Sequence, residues 1–558
     1  MTAIAPAGFR THEVFNQAPP RIGVNEYTSN VALVEGVSRH DADWATEALI
    51  DVGDLVGAES FQHDAELANT VTPVFHSHDR YGNRIDEVEF HPAYHRVIGA
   101  AVAHGAHTAA WARPRPGANV ARAATFMLFA QVEAGHACPI SMTHSVVPAL
   151  EFSPEVAELW LPRLYGRGYD GRLRAPGDKS GVLFGMAMTE KQGGSDVRVN
   201  TTRAVANSDG TWSLTGHKWF CSAPMSDGFL ILAQAQDPAT AGDSAALSCF
   251  LVPRVLEDGT RNVFRIQRLK DKLGNKSNAS SEIELDGTVG HLVGEPGRGV
   301  RTIIEMVSRT RLDCVYGSTA GMRQSVAEAL WHVRHRSAFG ATLIDQPAMT
   351  AVAADLALES EAATVTALRL ARAHDADADE SEKAFRRLAT AVSKYWICKR
   401  GPHHAYEALE CLGGNGYTES FPLARRYREQ PVMAVWEGSG NVIALDVLRA
   451  MTREPESAHA FDAELATARG ASALFDRHHD RMRRALTELS ALPPERAQLR
   501  ARAVASSMAL GLQASLLLRY SPTAVAEAFL AARLGEDRDL QYGSLPAGTD
   551  FAAILARH

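Results

Sequence analysis

One carboxylate, Glu437, stands in the turn Trp436-Glu437-Gly438-Ser439-Gly440-Asn441, after an apolar run and before a helical pattern. Glycines on both sides of Ser439 let the backbone approach a ligand with no Cβ in the way. Asn441 reads as a helix N-cap, so a helix N-terminus would point free N–H groups into the same space. A carboxylate beside a large aromatic and shielded from water has its pKa raised, as a general base working near neutral pH requires. Taken alone, the stretch also reads as a helix-entry loop with an exposed Glu.

Two further stretches could hold a ligand opposite that base. Met188-Thr-Glu-Lys-Gln-Gly-Gly-Ser-Asp196 closes a strand-like run. It offers the Thr189 and Ser195 hydroxyls and, at Gly193-Gly194, backbone N–H groups suited to a phosphate or to acceptor atoms on a ring edge. Its alternative is a plain hairpin loop. Gly216-His-Lys-Trp-Phe-Cys-Ser222 carries Trp219 and Phe220 beside Ser222; such aromatics serve a core or stack on a planar cofactor. The pairs His332/His335, His403/His404 and His478/His479 lack a third ligand at metal spacing, so no metal site is expected.

The elements that must position these residues change texture along the chain of 558 residues. An extended arm is expected over 1–40 and Ala-rich helical sequence over 41–181. Short apolar runs separated by Gly, Pro and Asp-Gly signals over 182–290 point to an antiparallel barrel or sandwich. Helical periodicity returns over 291–453, interrupted by the acidic stretch 375–382, read as an exposed interhelical loop. A further helical unit fills 454–558. The fold class is α+β. A net charge of −8 argues against a chain whose main partner is a nucleic-acid backbone. Six scattered cysteines form no C-x-x-C pair, and no signal peptide is visible, so a cytoplasmic location is expected. The apolar stretch 503–518 is expected to be a buried helix and not a membrane span.

The motifs together resemble the acyl-CoA dehydrogenase family. Thr189-Glu-Lys-Gln-Gly-Gly-Ser-Asp196 is similar to its T-E-x-x-x-G-S-D flavin loop, and Lys218-Trp-Phe-x-Ser222 to its K-x-W-I-T/S strand. Arg311, Arg336-Ser-Ala-Phe-Gly340 with Gln346, Leu412-Gly-Gly-Asn-Gly-Tyr417 and Trp436-Glu-Gly-Ser439 resemble later elements of the family in order. The resemblance implies a helical domain, a β-barrel and a four-helix bundle around FAD, in a homo-oligomer, commonly a tetramer. It assigns Met186, Met188, Thr189, Gly194, Ser195, Trp219, Phe220, Cys221 and Ser222 to the flavin half. Arg336, Phe339, Gln346, Gly413 and Gly414 go to the adenine half of a neighbouring subunit's FAD. Trp436, Gly438 and Asn441 would lie beside the ring, and Glu437 would be the base that removes the proton α to a thioester. Isovaleryl-type members carry a base just before the position of Arg311; here Thr310 stands there.

Several departures, Lys191, Glu410 and Trp436 among them, together with the extra C-terminal unit, resemble the family's alkylation-response branch. That branch implies weak isovaleryl-CoA dehydrogenase activity and duplex DNA binding through the C-terminal unit. Arg477, Arg481, Arg483, Arg484, Arg496, Arg500 and Arg502 could form a basic stripe there, although acidic residues over 452–558 roughly balance the basic ones. The alternative function is a flavin-stabilised DNA-binding protein with its pocket narrowed by Trp436.

Overall fold

The computed structural model describes residues 11–236, 246–536 and 539–558. Helices Val31–Arg39, Thr46–Gly57, Glu59–Thr70, Pro92–Ala103, Ala118–Val132, Ala137–Ser145 and Pro154–Leu164 build the N-terminal domain. The first of these falls inside the stretch expected to be an arm. The Ala-rich helix Ala118–Val132 is buried on every side, because alanines let neighbouring helices approach closely. Its N-terminus is held from outside: Asp375 accepts from the backbone N–H of Gly117 at 3.0 Å and of Asn119 at 2.7 Å. The acidic stretch is therefore not all exposed loop; Asp375 is a buried cap.

A β-hairpin, β1 (Val74–His78) with β2 (Arg84–Glu89), interrupts this domain where only helix was expected. The barrel follows, with β3 (Phe184–Ala187), β4 (Arg203–Ala206), β5 (Trp212–Ser222), β6 (Gly228–Gln236), β7 (Ala246–Pro253), β8 (Arg265–Leu269) and β9 (Ser280–Val293). Pairing runs β6–β4–β5–β9–β7 and closes from β7 back to β6, while β3 adds to β6 and β8 to β9. Closure leaves no free edge within the ring. The barrel is not wholly antiparallel, since β3 and β4 both lie parallel to β6.

The helix Gly299–His335 runs through the molecule and packs with Pro347–Arg372, Glu380–Glu410, Pro422–Met433 and Gly440–Arg453 as the expected bundle. Five further helices, Pro455–Ala466, Ala473–Ser490, Pro494–Tyr520, Thr523–Leu534 and Phe551–Leu555, form the extra unit. They share one continuous hydrophobic core with the bundle. Ion pairs shielded from water fasten the two, Arg369 to Glu464 at 2.8 Å and Arg533 to Glu359 at 3.0 Å. Trp396 Nε1 donates to Gln513 at 3.0 Å. Pro494–Tyr520 is long and apolar enough to cross a membrane, but most of that apolar window is buried inside the protein.

Glu133, fully buried, joins the helical domain to the barrel. Its carboxylate accepts from Asn69 Nδ2 at 2.7 Å, Ser277 Oγ at 2.7 Å and the His136 backbone N–H at 2.7 Å. Burial opposes its ionisation, yet His136 and these donors bring its pKa well below the usual carboxylate range.

Candidate active site around Glu437

Glu437 ends a loop between Pro422–Met433 and Gly440–Arg453 with φ of 56°, a left-handed conformation that costs a non-glycine residue about 1–3 kcal/mol. Three side chains from two other helices hold it there. Lys394, buried, donates from Nζ to the carbonyls of Trp436 at 2.9 Å and Gly438 at 2.5 Å, one on each side of the base. Arg311 Nε donates to the Glu437 carbonyl at 2.9 Å, and its Nη1 reaches Asp446 at 3.0 Å. Arg387 braces Asp446 in turn at 3.2 Å. Gly438 has φ of 109°, and a Cβ there would sit 2.8 Å from Ile443 Cδ1; only glycine turns the chain at this point.

The carboxylate itself is held by Thr310, whose hydroxyl lies 2.9 Å from Oε2. Burial raises the Glu437 pKa above the ordinary value, while the Thr310 hydrogen bond, Arg311 and Lys394 pull the other way. Thr310 was legible only as a residue unable to serve as a base; its donor role was not, nor were Lys394 and the Arg311–Asp446–Arg387 chain. Asn441 is not the N-cap. Ser439 holds that place, the helix starts at Gly440, and Asn441 Oδ1 in its first turn accepts from Arg502 Nε of the C-terminal unit at 2.8 Å.

The loop and strand expected to face the base meet each other. The backbone N–H of Trp219 donates to the Thr189 carbonyl at 2.8 Å. Between them Glu190, fully buried, takes Lys218 Nζ at 2.7 Å and Thr202 Oγ1 at 2.6 Å. Burial alone would raise the Glu190 pKa; the Lys218 ammonium and its hydrogen bonds bring it down to about 2. This anchor leaves Lys191 to Asp196, with Gly194 and Ser195, as an exposed loop. A Cβ on Gly194 would come within 2.5 Å of Thr189 Oγ1. Met188 and Trp436 both pack on the cluster that contains Met186, Cys138 and Met142.

On β5, Trp219 is half-buried beneath Lys270, whose Nζ lies 3.2 Å from the ring centroid, and Phe220 is 48% exposed. Cys221 does not join them. The β5–β9 register slips between Lys218 and Cys221, so strict alternation fails and Cys221 turns fully into the barrel core. Its side chain has no surface to offer a ring. Ser222 Oγ lies 3.1 Å from Ser280 Oγ, and Lys272 Nζ lies 3.2 Å from the same Ser280 oxygen. Burial lowers the Lys272 pKa to about 8. Cys138 ties the two sides together: its thiol, pushed up to about 12 by burial, feels the Ser222 hydroxyl, Lys272 and the Glu437 carboxylate. Cys138, Met188, Ala223 and Trp436 pack in one cluster, so the loop of the base and the end of β5 meet there. No sequence pattern singled out Cys138 or Lys272.

Near the C-terminal end of helix Gly299–His335 a cavity of about 390 Å³ gathers Arg336, Gly413, Gly414, His332, Met349 and Glu410. A Cβ on Gly413 or Gly414 would meet nothing within 4 Å, so the glycines leave an open cradle. Arg336 also donates to the Asn16 carbonyl of the N-terminal segment. Gln346 does not line the cradle; its Nε2 donates to the Ala338 carbonyl at 2.7 Å and braces the 337–342 hairpin. Phe339, at the tip of that hairpin, is 99% exposed. Among the described residues no group of His, Cys, Asp or Glu is arranged to hold a metal.

Comparison with known proteins decides the family. Residues 16–171 match the adaptive response protein AidB N-terminal domain, 185–288 the acyl-CoA dehydrogenase middle domain and 297–452 the acyl-CoA dehydrogenase C-terminal domain. The chain is 45% identical over 480 residues to AidB of Escherichia coli (strain K12), covering 86% of this chain and 87% of that protein. It belongs to the acyl-CoA dehydrogenase family. Acyl-CoA dehydrogenase family member 11 of Caenorhabditis elegans is 30% identical over 71% of this chain and 65% of its own length. The structure of Caenorhabditis elegans ACDH-11 in complex with C11-CoA superposes with a TM-score of 0.86 at 25% identity, over 95% of this chain and 94% of that one. An FAD complex of an acyl-CoA dehydrogenase from Bacillus anthracis shares the fold, with a TM-score of 0.60 at 18% identity over 79% and 76%. As an acyl-CoA dehydrogenase the chain is an FAD-dependent oxidoreductase. The residues present fit that cofactor: aromatics with small hydroxyls on β5 and, at a separate place, an open glycine cradle beside an arginine.

Proposed function

We propose that the chain oxidises an acyl thioester, or a related small electrophile, with Glu437 removing the α-proton. The geometry that carries this reading is a carboxylate held by Thr310, with its backbone fixed by Arg311 and Lys394, on a loop whose Trp436 packs on the same cluster as Met188 and Ala223 at the end of β5; burial raises its pKa. Thr310 occupies Oε2 and leaves Oε1 to receive the proton. FAD, when bound, supplies the acceptor for the hydride that leaves the β-carbon. Thr189, Ser195, Trp219, Phe220 and Ser222 would hold its ring end, while Arg336, Gly413 and Gly414 would reach the adenine half of an FAD held by a neighbouring subunit. Trp436, immediately before the base and packed between two apolar clusters, would narrow the substrate channel, which favours short or branched acyl groups and a weak isovaleryl-type activity. Likeness to AidB supports a role in the adaptive response to alkylation. Six buried, unpaired cysteines fit a reducing cytoplasm, and the fully exposed Phe339 suits a subunit interface of a tetramer. The test is anaerobic mixing of the yellow protein with a panel of acyl-CoA thioesters. Flavin bleaching by short branched thioesters supports the reading, and no bleaching by any thioester rejects it.

A second reading rests on the C-terminal unit. Arg477, Arg481, Arg484, Arg496 and Arg500 are exposed on its surface, and Arg483 and Arg500 meet acidic partners only at 3.7 and 3.4 Å, loosely enough to release them. This supports binding of the duplex phosphate backbone. Reversing Arg481, Arg483 and Arg484 together should abolish a salt-sensitive gel shift; an unchanged shift would remove this surface from consideration.

A further inference from the structure

We infer that Lys272 is a positioning residue for the flavin. Through Ser280 it turns the Ser222 hydroxyl outward as a donor, and its charge favours the reduced cofactor. The inference rests on the proposed reading in one respect, that Ser222 faces the ring end of FAD. Lys272 lies in the loop between β8 and β9, and that loop is fastened to the helical domain. Ser277 Oγ donates to the buried Glu133 at 2.7 Å, and Asn275 Nδ2 donates to the Ala134 carbonyl at 3.2 Å. From this fixed loop Lys272 Nζ donates to the Asn278 carbonyl and to Ser280 Oγ, the latter at 3.2 Å. Ser280 Oγ in turn lies 3.1 Å from Oγ of Ser222, the last residue of β5. Ser222 is gripped on both sides. Ser281 Oγ donates to the Cys221 carbonyl at 2.9 Å, and the Ala223 N–H donates to the Ala279 carbonyl at 2.8 Å. Ala223 has φ of 51°, a left-handed conformation uncommon for a residue with a Cβ, and this frame holds it there.

The direction of the hydrogen bonds follows from what each group can do. An ammonium only donates, so Ser280 Oγ accepts from Lys272 and leaves its own proton for Ser222. Ser222 then accepts, and its hydroxyl proton is free to point away from Ser280. Within the protein the group beside it is the Cys138 thiol, a weak acceptor. A ring-edge nitrogen or carbonyl of a flavin is a stronger one. Charge supports the same assignment. The buried lysines Lys179 and Lys218 each have a carboxylate, Asp227 at 2.6 Å and Glu190 at 2.7 Å. Lys272, half-buried, has no ion-pair partner among the described residues. Burial brings its pKa down only to about 8, so it stays charged at neutral pH. A hydride carries two electrons and one proton, and its arrival adds one negative charge at the ring end. A fixed cation and an aimed donor beside that charge stabilise it, while Lys272 keeps its own proton throughout.

The test is the reduction potential of the bound FAD, read against a reference dye during chemical reduction of the holoprotein with no thioester present. Lys272→Met should shift the reduction equilibrium toward the oxidised form by roughly tenfold, about 30 mV for a two-electron couple. Lys272→Arg keeps the charge and the donors and should restore most of the potential. Ser280→Ala leaves the ammonium but breaks the chain of hydroxyls, and should shift the equilibrium in the same direction by a smaller factor. It removes a single oxygen, so it keeps the test sound even where Lys272→Met fails to fold. A potential unmoved by Lys272→Met or by Ser280→Ala would overturn the inference. So would a full loss in Lys272→Arg, which would put packing in the place of charge. No thioester enters this titration, so its outcome is separate from acyl-CoA bleaching, which tests the proposed oxidation.

Discussion

The Thr310 hydroxyl lies 2.9 Å from Oε2 of Glu437, across 127 residues of sequence. A neutral donor in that place has a definite consequence for the base. The hydroxyl stabilises the carboxylate and moderates the rise in pKa that burial imposes. Thr310→Val keeps the shape and removes the donor, so the Glu437 pKa should climb further. A base must be deprotonated to act, so the rise of flavin-reduction rate with pH should move to higher pH. At neutral pH the rate should fall by roughly 2–10-fold, and Thr310→Ser should restore it. A profile unmoved by Thr310→Val would show that the hydroxyl does not sense the base.

Lys394 straddles the same residue through two backbone carbonyls. Replacing it with Met leaves both carbonyls short of a donor beside a residue in a left-handed conformation. The expected loss is about 2–4 kcal/mol of stability, read as a lower thermal midpoint. Slower flavin reduction with unchanged FAD content should accompany it, because the carboxylate is then less well aimed.

Gly414 faces open space in the 390 Å³ cradle. Gly414→Val should fold normally, with a stability change within about 0.5 kcal/mol, yet be purified with markedly less FAD. Full flavin content in that variant would separate this cradle from the cofactor.

Much of this site could be read from residue order, and the failures have physical reasons. The barrel strands announce themselves as short apolar runs between Gly and Pro signals, and Glu437 as a lone acid in a glycine turn. The hairpin Val74–Glu89 does not: burial alternates along its strands, but polar Ser77 and Asp86 take inward positions, so no alternation of apolar and polar residues marks them. The resemblance puts Cys221 at the flavin, but a register slip between Lys218 and Cys221 turns its side chain into the barrel core. Asn441 looks like a cap by type, but Ser439 takes that position and Arg502 claims the amide. Thr310 and Lys394 reach Glu437 across distant helices, and such meetings leave no trace in local spacing. The C-terminal unit read as a separate appendage, yet pairs such as Arg369–Glu464 weld it to the bundle.

Stopped-flow mixing of a bleaching acyl-CoA with Glu437→Gln tests the central claim most directly. The amide keeps the size and the Thr310 contact but cannot take a proton. The variant should bind FAD in the same ratio as the parent and show no thioester-driven flavin reduction on the parent's timescale. Reduction at an unchanged rate would contradict Glu437 as the base.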